Sequence, residues 1–137
     1  WRDGMEEPGG EPYVVLTGGE PLLQVDAPLI AALKQEGFTI GLESNGTLPA
    51  PDGIDWICVS PKLGNPVVQR RGSELKLVWP QPGIDFREME AWDFRHFFVS
   101  PMDGPNRRET QAAAIRFVLG HPRWRLSIQS HKVIGLR

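Results

Sequence analysis

The sequence predicts an α/β fold, an open or partial barrel of mostly parallel strands. Three observations predict it. A short apolar run, Tyr13-Val14-Val15-Leu16, leads through Gly18-Gly19 to a helical pattern and then a second apolar run. Strand, helix and strand with short connections are the sequence sign of a parallel crossover. Further along, polar clusters bearing glycine or proline follow strand after strand. In a parallel sheet such clusters converge on one rim, the side on which barrel-type α/β folds bind ligands.

Residues 1–12 carry loop composition. The first strand spans 13–17 and delivers the turn Thr17-Gly18-Gly19-Glu20-Pro21. Two glycines at a strand's end let the backbone take positive φ and approach a ligand, although a turn that merely needs glycine looks the same. Asp26 caps a helix with Pro28 in its first turn, Leu29, Ile30 and Leu33 on its apolar face, and Gly37 beyond its end. Residues 38–43 form the second strand, and 54–59 the third, ending in Ser60-Pro61-Lys62. Glu74 to Val78 is the fourth, stopped by Trp79-Pro80. Residues 80–94 are ambiguous, with a short helix over 85–92 as one reading. His96 to Val99 is the fifth strand, ending in Ser100-Pro101-Met102-Asp103-Gly104-Pro105. Asn106 and Glu109 have capping-box spacing for a helix over 107–119, with Gly120 to terminate it. The last strand is 124–128, and Gln129-Ser130-His131-Lys132 lies past its end.

At 137 residues the chain reads as one domain, 1–137, with ordinary apolar and charged fractions. A net charge of −2 implies no broad attraction to nucleic acid or an anionic membrane. No apolar run is long enough to span a bilayer and no signal-peptide pattern opens the chain, so a cytoplasmic setting is expected. Cys58 is the sole cysteine, which excludes an internal disulfide and a multi-cysteine metal site. Within a strand it reads as a small buried apolar residue. A chain opening on Trp1 also reads as a piece of something longer.

Taken together, these clusters resemble the radical S-adenosylmethionine (SAM) enzymes and, among them, the 7-carboxy-7-deazaguanine synthases of queuosine biosynthesis. The matching stretches are 17–24, 42–47, 56–62, 74–78, 100–105 and 124–132. Gly-Gly-Glu-Pro alone points to the superfamily; Ser-Pro-Lys, Ser-Pro-Met-Asp-Gly-Pro and Gln-Ser-His-Lys in that order point to the synthases. The resemblance implies a partial, TIM-like barrel of the radical SAM type whose first strand and cluster loop are missing. It also implies a SAM- and 4Fe-4S-dependent lyase, homodimeric when full-length. Such a lyase contracts 6-carboxy-5,6,7,8-tetrahydropterin to 7-carboxy-7-deazaguanine, with Mg²⁺ assisting and ammonia released. The cysteine-rich cluster loop and the magnesium-ligating threonine of that family lie upstream of Gly-Gly-Glu-Pro, so no metal ligand is assigned within this chain. The chain is therefore read as the C-terminal part of a synthase, inactive by itself.

By the same resemblance Thr17 contacts substrate, Gly18 and Gly19 approach SAM, and Glu20 accepts a hydrogen bond from the methionyl ammonium. Ser60, Pro61 and Lys62 form one SAM-binding segment; Ser100, Pro101, Met102 and Asp103 form a second, with Met102 against the adenine. Glu43 and Asn45 face the pterin, with a plain salt bridge as the alternative for Glu43. His131 bonds the substrate or shuttles a proton, although a lone histidine is more often structural. The terminal carboxylate of Arg137 reaches substrate, unless its side chain alters that contact. Two other readings stay open: another radical SAM enzyme such as a glycyl-radical activase, and a non-catalytic α/β nucleotide-binding module.

Overall fold

The structure is a computed structural model that describes residues 10–130. Its strands are β1 (Tyr13–Leu16), β2 (Thr39–Ser44), β3 (Trp56–Val59), β4 (Arg71–Trp79), β5 (Asp93–Pro101) and β6 (Trp124–Leu126). Three α-helices join them: α1 (Ala27–Gln35), α2 (Phe86–Glu90) and α3 (Arg107–Gly120). All neighbouring strands are parallel, in the order β1-β2-β3-β4-β5-β6. The predicted α/β architecture of parallel strands in an open sheet is therefore borne out. Among the described residues, no helix is long and apolar enough to cross a membrane.

Alternation along the strands assigns the two faces of the sheet. Val59, Leu75, Leu77, Phe97 and Val99 are buried together with Met89 of α2 and with Ala114 and Phe117 of α3. That face is the core. Its aromatic end is held by ring contacts: Phe117 lies 4.5 Å from Trp79 and 4.9 Å from Phe86. Trp124 is buried there too, and its indole N–H donates to Glu90 at 2.6 Å. A buried indole N–H left without such an acceptor would cost about 1–3 kcal/mol.

The helix ends follow from local chemistry, with two corrections. Asp26 caps α1 by accepting from the Leu29 N–H at 2.9 Å, and Asp85 caps α2 by accepting from Arg87 and Glu88. The short helix left open over 85–92 thus forms over Phe86–Glu90. At α3 the expected capping box does not form: Asn106 makes no side-chain capping bond. Its backbone, at φ −94° and ψ 32°, has left the extended region that aims a capping side chain at the first turn. Gly120 is not a left-handed terminator either; it ends the helix itself, and His121 follows as the cap.

The strands differ from expectation mainly in length. β4 begins at Arg71 and β5 at Asp93, three residues earlier than predicted in each case, and both reach further toward the rim. A side chain at Gly72 would stand 2.9 Å from the Phe94 ring and 3.0 Å from the Ile57 carbonyl. Close packing, not a turn, requires the glycine. β1 stops at Leu16, leaving Thr17 in the turn, and β6 stops at Leu126 rather than at Ile128. Between β2 and β3, Asp55 accepts from the Ile40 N–H at 2.7 Å and from the Lys34 ammonium, tying α1 to the sheet. The Lys34 bond, then the Ile40 amide, hold its carboxyl below the ordinary carboxylate value.

Candidate functional site

The carboxyl ends of β1 to β5 open on a cavity of about 280 Å³. Its lining includes Thr17, Gly18, Gly19, Glu43, Asn45, Ser60, Lys62 and Ser100, drawn from four of the predicted segments. Ser44, Lys76, Val78 and Gln129 complete it. The volume is near the lower end of the range, roughly 300–1,000 Å³, of small-molecule sites. A larger hollow of about 420 Å³ lies at the opposite end of β3 to β5, against Arg71, Phe94 and Arg95, and none of the predicted residues lines it.

The turn after β1 leaves room. Gly18 has φ of 129°, and a Cβ at Gly18 or Gly19 would meet nothing within 4 Å. Glu20 behaves differently. It accepts from the Leu22 N–H at 3.2 Å, the Ser44 hydroxyl at 2.7 Å and the Asn45 N–H at 2.8 Å, which engages both carboxylate oxygens. It thereby fastens the β1 turn to the end of β2 and is not among the residues lining the cavity.

Glu43 both lines the cavity and pairs with Lys76, whose ammonium lies 3.3 Å from its carboxylate. The two readings of Glu43, substrate contact and salt bridge, are thus compatible in one geometry. Asn45 directs its side-chain oxygen to the Thr47 N–H at 2.9 Å, shaping its loop. The Lys62 ammonium stands 3.5 Å from the Ser60 hydroxyl, and Pro61 between them is fully buried. Pro101, Met102 and Asp103 line a much smaller crevice of about 20 Å³ against α3, which shares Ser100 and Gln129 with the main cavity. The Met102 N–H donates to the Trp79 carbonyl at 2.7 Å, and the side chain is 37% exposed. His131 and Arg137 lie outside the described residues.

Cys58 is buried, 3% exposed, as expected, but it lies outside the cluster formed by Val59, Leu75 and Leu77. It faces the cavity side of the sheet, where its thiol donates to Glu74 at 3.3 Å. Desolvation, aided by Glu74 and Glu43, pushes the thiol up to about 12 despite Lys76. Burial alone would pull the Lys76 ammonium down, but Cys58, Glu43 and Glu74 offset it and the net shift is upward. No group of three or more His, Cys, Asp or Glu side chains that could hold a metal occurs among the described residues. Lys76 was not among the expected site residues; the alternation of Glu74, Lys76 and Val78 with the buried Leu75 and Leu77 is the sequence signal that places it on the cavity side.

No family model matches the chain. Individual proteins do. It is 59% identical over 125 residues to the 7-carboxy-7-deazaguanine synthase of Bradyrhizobium diazoefficiens, covering 91% of this chain and 60% of that protein. Against the synthase of the same name from Bordetella pertussis it is 56% identical over 124 residues, covering 90% and 59%. The crystal structure of QueE from Escherichia coli matches with a TM-score of 0.66 at 26% identity, covering 93% of this chain and 59% of that one. The chain thus spans about 60% of the length of the curated relatives it matches most fully in identity. The resemblance drawn from the motifs is borne out.

Proposed function

Because the chain is a relative of the 7-carboxy-7-deazaguanine synthases, we propose that it builds the ligand-holding rim of such a synthase. The reaction is the radical SAM-dependent contraction of 6-carboxy-5,6,7,8-tetrahydropterin to 7-carboxy-7-deazaguanine with loss of ammonia. One observation carries this reading: four of the predicted segments, far apart in sequence, meet with the end of β4 around a single cavity.

The residues suit SAM. Gly18 and Gly19 leave open space at the turn, the Ser60 and Ser100 hydroxyls offer donors and acceptors, and Lys62 offers a cation for a carboxylate or a ribose oxygen. When bound, SAM would supply the 5′-deoxyadenosyl radical that abstracts hydrogen from the pterin. Thr17, Glu43 and Asn45 would orient the pterin through its ring N–H and C=O groups, with Glu43 as the acceptor. Glu20 holds the Gly-Gly turn against β2, and its carboxylate keeps acceptor capacity for the methionyl ammonium expected to meet it. The described residues do not suit a 4Fe-4S cluster: the one thiol is buried and hydrogen-bonded to Glu74. Ligands for the cluster and for Mg²⁺ would come from outside the described residues.

The test is turnover by the full-length protein that carries this chain, reconstituted anaerobically and supplied with SAM, a reductant, Mg²⁺ and the carboxytetrahydropterin. Mass spectrometry should find 7-carboxy-7-deazaguanine. Production of 5′-deoxyadenosine without the deazapurine would point instead to another radical SAM enzyme, and neither product would favour a binding module.

A further inference from the structure

We propose that Lys76 is a positioning residue of the cavity, holding the Glu43 carboxylate in place as an acceptor at its floor. The inference rests on the synthase reading above and deepens it. Leu75 and Leu77 are fully buried in the core, so Glu74, Lys76 and Val78 must face the other side of β4. On that side the strand register sets Glu43, Cys58, Glu74 and His96 in one row across β2 to β5. Lys76 stands one step nearer the rim, beside Phe98.

The two partners of the 3.3 Å pair are unequal. The Lys76 side chain is 24% exposed and that of Glu43 is 51% exposed. The lysine is the enclosed, fixed member, and the glutamate is the one that reaches toward solvent and ligand. Glu74 takes the Cys58 thiol, while Lys62 lies beside Ser60. A half-exposed glutamate without a partner samples several rotamers, and a ligand that needs one of them must first immobilise it. Lys76 removes that freedom before the ligand arrives. The net upward shift of its ammonium keeps it charged throughout the neutral range.

The experiment uses the full-length enzyme with Lys76→Met, Lys76→Arg, Glu43→Gln and the double variant Lys76→Met/Glu43→Gln. It reads KM and kcat for the carboxytetrahydropterin, and the dissociation constant of the pterin without reductant. Lys76→Met should weaken binding and raise KM about tenfold, the scale on which lost orientation acts, while Lys76→Arg recovers most of that loss. The double variant should be no worse than Glu43→Gln alone, because Lys76 acts through Glu43. Losses that multiply in the double variant, or a Lys76→Met enzyme within twofold of wild type, would overturn the role. If Lys76→Met does not fold, Lys76→Gln takes its place in the cycle. Wild-type enzyme in the same preparation separates the two claims: no product from wild type overturns the synthase reading and this role with it. Product from wild type with an unaffected Lys76→Met overturns the role alone.

Discussion

Glu20 shows how a carboxylate beside a ligand cavity comes to serve the scaffold. Its motif places it next to two glycines, but the donors it takes from outside its own turn are Ser44, at the end of β2, and Asn45, just past it. Sequence spacing cannot foresee a partner 24 residues away that only the β1–β2 pairing brings close. Glu20→Ala would leave the buried Ser44 hydroxyl and the Asn45 N–H without an acceptor, costing about 1–3 kcal/mol. Urea unfolding should show that loss, with a smaller one for Glu20→Gln, which keeps an acceptor oxygen. Cys58 teaches the complementary point. Its burial was legible from its place in a strand, whereas its polar partner Glu74 was not. Burial pushes the thiol up to about 12, so the reactive thiolate is scarce in the native protein near pH 8. Labelling by Ellman's reagent should therefore be very slow in the native protein and rapid in denaturant; fast native labelling would contradict the burial.

Among the elements, those bounded by strong local signals matched expectation best. Asp26 with Pro28 marks the start of α1, and Gly37, at φ of 78°, marks its exit. The starts of β4 and β5 were hidden because Gly72 and Asp93 carry turn chemistry and are drawn into strands by pairing with Phe94 and Arg71. Tertiary pairing overrides such weak local preference. The two helix caps make a matched test. Asp26→Ala should cost about 1 kcal/mol of stability, since it removes the bond to the Leu29 N–H. Asn106→Ala removes no capping bond and should stay within about 0.5 kcal/mol. Paired thermal melts of the two variants would decide the comparison, and an equal loss at both positions would show that the α3 terminus is capped after all.

At the scale of the whole molecule, the parallel sheet and its single ligand rim were the most legible features, because a regular succession of strand, turn cluster and helix admits few other topologies. The convergence of Thr17, Glu43, Ser60 and Ser100 on one cavity follows from that succession. Less legible was the face of the sheet turned away from the helices, where Lys76 sits. The recognisable motifs lie in loops, while the pleat of β4 alone decides which of its side chains look toward the cavity.

The strand order has a consequence for how such a chain comes to be made. Among the described residues each strand is zipped only to the one synthesised just before it and the one just after. The sheet can therefore lengthen at its newest margin while the polypeptide is still leaving the ribosome, and no late arrival has to wedge between two segments already joined.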